Sequence, residues 1–209
     1  MKRKNIGYAL LMTGALFSLS VATSAYAADV GKLAESCASC HGKDGASTDN
    51  DMPNIGGLSA EYFNGAMKAY KSKSRPCIET KVRTGDKKGT KTDMCQVVKD
   101  ISEADVKQLA KQFSEKKFVR ASQKFDANLA QKGKGIHDKL CEKCHSDGGT
   151  VAGDDGGILG GQKMAYLKEQ TEFFLHGKRA YADKKMKQKL EETDVAGIEA
   201  LVHYYGSLK

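Results

Sequence analysis

The feature of this sequence that most constrains the fold is a short cysteine–histidine motif that occurs twice. Residues 37–41 read CASCH and residues 141–145 read CEKCH, so the two copies lie 104 positions apart. The same offset aligns several further residues: Gly31 with Gly135, Gly56 and Gly57 with Gly160 and Gly161, and Tyr62 with Tyr166. Matches at one fixed spacing predict that the chain contains two copies of one structural unit.

The two copies differ in length, because the offset falls to 92 later in the chain. Two pairs show this shorter offset: Met94 with Met186, and Phe113 with Tyr205. The first copy therefore holds 12 extra residues between about 75 and 92. Cys77 and Cys95 bound this insert and have no counterpart in the second copy.

Helices dominate the predicted structure of both copies. The chain has only 2 prolines and is rich in residues that favour helices. We predict helices at 29–40 and 126–143, at 59–72 and 163–176, and from Ser102 and about 193 onward. No segment alternates clearly enough to predict a strand. The predicted organisation is a segment 1–27, a first domain 28–118, a linker 119–127 and a second domain 128–209.

The first 27 residues have the pattern of a secretory signal peptide. Basic residues at 2–4 precede an apolar run at 6–21, and Ala25 and Ala27 supply small residues for cleavage. Cleavage after Ala27 places the mature chain in the periplasm. The alternative is an uncleaved anchor, but the apolar run is short and interrupted. No later segment is apolar enough to span a bilayer, so we predict no transmembrane segment after cleavage.

The repeated motif is the attachment signature of c-type haem. Two thiols add to the two vinyl groups of the porphyrin, and the adjacent histidine supplies an axial nitrogen to the iron. A thiol redox pair or half of a zinc site also contains Cys-x-x-Cys, but neither requires the following histidine. We therefore predict two covalently bound haem c groups, at Cys37, Cys40 and His41 and at Cys141, Cys144 and His145.

An electron carrier needs a sixth ligand on each iron, and methionine is the best candidate. Met94 and Met186 lie in polar loops before the last helix of each copy, far enough from the motif to reach the opposite haem face. His137, His176 and His203 are the competitors. Each falls in a predicted helix without a partner in the other copy, so we interpret them as surface or packing residues. The prediction is His/Met coordination of both irons.

The two remaining cysteines, Cys77 and Cys95, are predicted to form a disulfide in an oxidising compartment. The bond would close an 18-residue span and stabilise the fold by about 3 kcal/mol through loop-closure entropy. Cys95 directly follows Met94, so the bond would also restrain the segment that carries the proposed ligand.

With these residues identified, the sequence resembles the two-domain cytochrome c4 family over nearly all of its mature length. It also resembles a close relative, the dihaem cytochrome subunit of flavocytochrome c sulfide dehydrogenase. The likeness is most specific at 135–145 (GIHDKLCEKCH), 158–162 (ILGGQ) and 184–186 (KKM). This second half resembles the sulfide dehydrogenase subunit more than it resembles cytochrome c4.

The resemblance implies an all-α fold of two tandem class I cytochrome c domains related by a pseudo-twofold axis. It implies haem propionates near the domain interface, with electrons passing between the haems. It further implies four matched positions: close helix contacts at Gly31 and Gly135, met by the aromatic residues Phe113 and Tyr205. Pro53 matches a proline whose carbonyl orients the ligand histidine. The second half lacks a proline around 156–158, so its iron is expected to be held differently.

The predicted function is periplasmic electron transport without catalytic residues, from a dehydrogenase donor to an oxidase, a photosynthetic centre or another cytochrome. One alternative is the electron-accepting subunit of a sulfide-oxidising enzyme, whose flavoprotein chain would be the partner. The other is a haem enzyme such as a peroxidase or thiosulfate dehydrogenase. An enzyme needs an open iron, which two methionine ligands would close.

Charge gives a weaker indication of the partners. The formal net charge is +8, but the signal peptide carries three of these charges and the haem propionates offset most of the rest. No nucleic-acid partner is predicted for such an exported protein. Basic residues cluster near both methionines: Lys81, Arg83, Lys87, Lys88 and Lys91, and Lys178, Arg179, Lys184, Lys185, Lys187 and Lys189. They predict basic rims that steer an acidic partner, the alternative being an ordinary solvated face.

Overall fold

The computed structural model describes residues 29–181 and 183–209 of the chain. The predicted signal peptide, residues 1–27, lies outside these described residues. Among the helices that are described, none combines the length and the apolar character that crossing a membrane requires.

The first half of the described chain contains four α-helices and one short pair of strands. In chain order these are α1 (Val30–His41), α2 (Ala60–Lys71), β1 (Thr80–Lys81), β2 (Lys91–Thr92), α3 (Met94–Val98) and α4 (Glu103–Ser114). A 3₁₀ turn at Lys43–Gly45 follows the first motif. The strands pair antiparallel within the insert, with Thr80 opposite Thr92. No strand was expected here, because two-residue strands are too short to show an alternating pattern.

The second half of the described chain repeats this order without the insert. Its helices are α5 (Ala127–Leu140), α6 (Ser146–Gly149), α7 (Met164–Leu175), α8 (Lys184–Glu191) and α9 (Val195–Ser207), with a 3₁₀ turn at Ala152–Asp154. Helices α1 and α5, α2 and α7, and α4 and α9 therefore correspond, as the repeat predicts. The all-α fold predicted from the sequence is confirmed. Residues 117–126 contain no helix or strand and include most of the predicted linker; the domain bounds remain a prediction.

Side-chain caps fix where the main helices begin. The hydroxyl of Ser102 accepts a hydrogen bond from the amide of Asp105 at 3.1 Å, which starts α4 as predicted. Asp194 caps α9 in the same way, through the amide of Gly197 at 2.6 Å. These caps fix the first turn of the last helix in each half.

Each half has its own hydrophobic core. In the first half Phe63 of α2 stacks on Phe113 of α4, with ring centroids 5.5 Å apart. Leu109 and Val98 are fully buried beside them. The second core is built mainly from α7 and α9 residues: Leu167, Leu201, Val202, Tyr204 and Tyr205.

The close helix contact in the second half lies at Gly133 and not at Gly135. A Cβ atom on Gly133 would lie 2.1 Å from the carbonyl oxygen of Ala200 in α9, whereas one on Gly135 would meet nothing within 4 Å. At Gly31 the nearest atom is the side chain of the capping Asp29. The expectation of tight contacts at Gly31 and Gly135 is therefore wrong. In the second half the helix crossing lies two residues earlier, at Gly133.

The insert of the first half is closed by a disulfide between Cys77 and Cys95, as the sequence predicts. Its backbone reaches the motif helix, because the amides of Arg83 and Thr84 both donate to the carbonyl of Ser39, at 3.1 and 3.0 Å. Ser39 lies between the two cysteines of the first motif. The insert therefore covers part of the helix end that carries this motif.

Candidate haem sites

The first motif places two free thiols on one face of a helix end. Cys37 and Cys40 are one turn apart in α1 and both are half-buried. Burial raises the pKa of the Cys37 thiol to about 11, so it is held as a neutral thiol. Two adjacent free thiols, in a chain where Cys77 and Cys95 are oxidised to a disulfide, suit covalent attachment of a cofactor with two reactive groups.

The histidine of the first motif is buried and oriented by a backbone carbonyl. Nδ1 of His41 lies 3.0 Å from the carbonyl oxygen of Pro53, which leaves Nε2 as the nitrogen available to iron. Burial lowers the pKa of His41 and outweighs the opposing effect of the Pro53 carbonyl. A neutral imidazole with its second nitrogen already occupied is the form that a metal requires.

The second motif is held by a buried hydrogen-bond network. The ring of His137 is fully buried, with Nδ1 3.0 Å from the hydroxyl of Tyr205 and Nε2 2.6 Å from a carboxylate oxygen of Glu142. Glu142 lies between Cys141 and Cys144, and it also accepts from the amide of Asp147. His137 therefore fixes the motif loop. Both of its ring nitrogens are used, which fits its interpretation as a packing residue.

The second motif histidine lacks the support that the first one has. Nδ1 of His145 is buried and has no hydrogen-bond partner among the described residues. Its ring lies directly over Gly156, where a Cβ atom would come within 2.6 Å of Cε1 of the ring. Burial lowers the pKa of His145 as well. The two motif histidines therefore lie in different surroundings, as the missing proline predicts.

The two candidate methionine ligands lie in short helices. Met94 is the first residue of α3 and packs against the first core, and Met186 lies in α8; both are partly buried. The sequence placed them in polar loops. That placement is wrong, because Asp93 and Asp183 cap these segments and start a helical turn. Their role as ligands remains a prediction.

The other two histidines are far less suited to iron. His176 is exposed at the end of α7. Nδ1 of His203 accepts a hydrogen bond from the amide of Asp126 at 2.8 Å, and so helps to start α5. Both observations fit the prediction of surface and packing roles.

Between the halves lies a cluster around Arg75 that the sequence analysis did not predict. It includes Arg179, which was expected on the basic rim near Met186 and instead donates to Gln170. Arg75 is only 4% exposed, donates to the hydroxyl of Tyr166 at 2.6 Å, and makes two hydrogen bonds to Oε1 of Gln170. Its guanidinium group lies over the ring of Tyr70, 4.7 Å from the centroid. Arg179 donates to the same oxygen of Gln170.

The cluster has the same internal symmetry as the motifs. The offset of 104 aligns Arg75 with Arg179 and Tyr70 with Phe174, and Arg179 lies over the Phe174 ring at 4.3 Å. This offset was available in the sequence and could have identified the pair. Within the described part of the chain, neither guanidinium pairs with an acidic side chain.

The two guanidinium charges lower the pKa of the nearby Tyr62. Burial alone would raise the pKa of Tyr62, but the charges of Arg75 and Arg179 outweigh it and lower that pKa to about 8. A buried cation is stable only when an anion or strong acceptors compensate it. The cluster therefore fits a cofactor that brings its own carboxylates, as haem does.

Comparisons with known proteins agree with this geometry. Residues 27–111 match the family described as cytochrome c. Cytochrome c4 of Pseudomonas aeruginosa is 28% identical over 207 residues, covering 92% of this chain and 94% of the relative. Cytochrome c4 of Stutzerimonas stutzeri is 30% identical over 181 residues, covering 81% of each. The crystal structure of reduced recombinant cytochrome c4 from Pseudomonas stutzeri matches with a TM-score of 0.68 and 26% identity, over 86% of this chain and 96% of that one.

Proposed function

The chain belongs to the cytochrome c4 family, and on this premise we propose that it carries electrons in the periplasm between a dehydrogenase and an oxidase or another cytochrome. As a member of the family it is an electron carrier with two covalently bound haem c groups. The observation that carries the proposal is the state of the two motifs. Both motif cysteine pairs are free thiols although Cys77 and Cys95 form a disulfide, and each pair is followed by a histidine whose pKa is lowered by burial.

We assign the attachment of the first haem to Cys37 and Cys40, and that of the second haem to Cys141 and Cys144. The axial ligands in this proposal are His41 with Met94, and His145 with Met186. A bound haem supplies an iron that takes up and releases single electrons. Methionine sulfur raises the potential of such an iron and closes it to substrates, which suits transport better than catalysis.

The buried cluster between the halves holds the haem carboxylates in this proposal. Arg75 and Arg179 provide charge compensation, and the hydroxyls of Tyr62 and Tyr166 provide hydrogen bonds. Because the two arginines share one acceptor, Gln170, the propionate sides of both haems would face the same region. Electrons could then cross between the halves without leaving the protein.

The docking surfaces proposed for redox partners are the basic rims near the two methionines. The insert presents four exposed lysines, Lys81, Lys87, Lys88 and Lys91, and α8 presents Lys184, Lys185 and Lys187. An acidic partner would associate faster at low ionic strength through these charges. If the rate of electron transfer with the natural partner does not change with salt, this part of the proposal is wrong.

The main test is an optical spectrum of the protein isolated gently from its own periplasm. Two haems without flavin, and slow reduction by sulfide, are expected for a free carrier. A flavin band that sulfide bleaches would instead identify a subunit of a sulfide-oxidising flavoenzyme. Rapid binding of carbon monoxide to the reduced protein would indicate an open iron and would favour an enzyme.

A further inference from the structure

A side chain of the second half holds a backbone segment of the first half at two points. Oε1 of Gln162 accepts a hydrogen bond from the amide of Asn54 at 2.9 Å, and Nε2 of Gln162 donates to the carbonyl of Asn54 at 2.8 Å. Asn54 is 1% exposed and Gln162 is 2% exposed, so water does not compete for these bonds. The contact is therefore a buried, two-point link between the halves.

The first of these bonds acts on the peptide group that orients His41. The amide of Asn54 and the carbonyl of Pro53 belong to one planar peptide unit, so they cannot rotate independently. That carbonyl oxygen lies 3.0 Å from Nδ1 of His41. A continuous chain of hydrogen bonds thus runs from the ring of His41 through one peptide group to the side chain of Gln162.

Both ends of this chain are fixed. The side chain of Asn54 accepts from the amide of Ser47 at 2.9 Å and donates to the carbonyl of Val119. On the other side, the carbonyl of Gln162 accepts from Nε2 of Gln123 at 2.8 Å. The peptide between Pro53 and Asn54 therefore has little freedom to turn away from His41.

The second half has no equivalent arrangement. The offset of 104 places Leu58 where Gln162 would be and Ile158 where Asn54 would be. Nδ1 of His145 has no partner among the described residues. Only one of the two motif histidines is therefore controlled from the opposite half.

We propose that Gln162 is a positioning residue for the first haem, which acts through the Pro53–Asn54 peptide on the imidazole of His41. By accepting from the amide, Gln162 polarises the carbonyl and strengthens its hydrogen bond to Nδ1. A stronger bond makes the imidazole a better donor to iron and lowers the potential of that haem. The inference rests on the proposed function, because it takes His41 as an iron ligand.

The test compares three variants of the full holoprotein by redox titration of each haem. Gln162→Met keeps the volume but removes both hydrogen bonds, and we expect it to raise the potential of the first haem by up to about 59 mV, a tenfold change in a one-electron equilibrium. The second haem should not change. Gln131→Met is the matched control, because it makes the same exchange at an exposed glutamine on α5 that forms no hydrogen bond with Asn54 or Gln162.

Gln162→Glu separates positioning from simple packing. A carboxyl group keeps the acceptor for the amide of Asn54, so no upward shift is expected, and the Nδ1 proton resonance of His41 should stay near its original position. An upward shift in Gln162→Glu equal to that in Gln162→Met would overturn the proposal. So would unchanged potentials in Gln162→Met, or equal shifts of both haems.

Failure of the proposed function would look different. If the unmodified protein lacks low-spin haem in its first half, or if His41→Ala leaves the spectrum unchanged, His41 is not the ligand and the proposed function is wrong. If the unmodified protein shows both haems and the Gln162 variants leave both potentials unchanged, the inference alone is wrong.

Discussion

The carbonyl oxygen of Pro53 lies 3.0 Å from Nδ1 of His41, whereas the corresponding nitrogen of His145 has no such acceptor in the described part of the chain. Hydrogen bonding at Nδ1 makes an imidazole a stronger donor and stabilises ferric iron. We therefore expect two separate reduction potentials, with the lower one at the haem that we assign to Cys37 and Cys40. Spectroelectrochemical titration should resolve two one-electron steps.

The two steps can be assigned with a substitution that affects one site. In Gly156→Ala the new methyl group would lie 2.6 Å from Cε1 of His145, so the ring has to move and the higher potential should shift. Gly153→Ala is the control in the same loop, because its methyl group would meet only Val151, at 4.0 Å. A shift of the lower step in Gly156→Ala would contradict the assignment.

The disulfide is expected to stabilise both the fold and the ligand segment. Replacing Cys77 and Cys95 together with alanine should lower the free energy of unfolding by about 3 kcal/mol, because the 18-residue span is no longer closed in the unfolded chain. Met94 adjoins Cys95, so the long-wavelength sulfur-to-iron band of the first haem should weaken as well.

Denaturant titration and the ferric spectrum provide the two measurements for this double variant. The second haem serves as the internal control, since Met186 has no disulfide beside it. An unchanged unfolding midpoint together with an unchanged sulfur-to-iron band would show that the bond supports neither the fold nor the ligand.

The repeat predicted the architecture, but it could not predict the contacts between elements. The matched motifs predicted the corresponding helices, because each helix is encoded by residues close together in the sequence. The disulfide followed by elimination, because Cys77 and Cys95 are the two cysteines outside the motifs. The tight contact at Gly133 was missed, since the position of a helix crossing depends on the packing of α9. Arg75 and Arg179 share the repeat offset, yet their common acceptor Gln170 becomes visible only when the halves are in contact.

Helix α5 offers a matched pair of glycine substitutions. Gly133→Ala should lower the free energy of unfolding by several kcal/mol, because its methyl group would overlap the backbone of Ala200 and push α5 from α9. Gly135→Ala points into open space, and alanine favours a helix over glycine by about 1 kcal/mol, so it should stabilise the protein slightly. Thermal unfolding of the two variants should therefore move in opposite directions. If both substitutions changed the unfolding temperature equally, the close contact between α5 and α9 would not lie at Gly133.

The acid stability of the second half should depend on Glu142. A hydrogen bond from His137 is the main reason that its pKa is lowered below the ordinary 4.5, and the amide of Asp147 adds to this. A carboxyl group whose pKa is lowered by folding stabilises the protein above its unfolded pKa, and this stabilisation is lost as the pH falls through the folded value. Glu142→Gln should therefore be less stable at neutral pH and should lose less stability on acidification below about 4.5.

Denaturant titrations at a series of pH values test this prediction. Glu35→Gln is a suitable control, because Glu35 is exposed on α1 and its carboxylate makes no hydrogen bond or ion pair with other described residues. If the free energy of unfolding falls equally with decreasing pH in the unmodified protein and in Glu142→Gln, the carboxylate contributes nothing through its contact with His137.

The buried guanidinium of Arg75 should raise the potentials of both haems. A positive charge that is 4% exposed is poorly screened by water, and it favours the reduced iron, which carries one positive charge less. Arg75→Met removes the charge while keeping a long apolar side chain, so both potentials should fall. Lys68→Met removes the same charge from an exposed position on α2, where water screens it, and should leave both potentials unchanged. A fall in only one potential would place Arg75 beside a single haem, and no fall in either would show that its charge does not act on the haem irons.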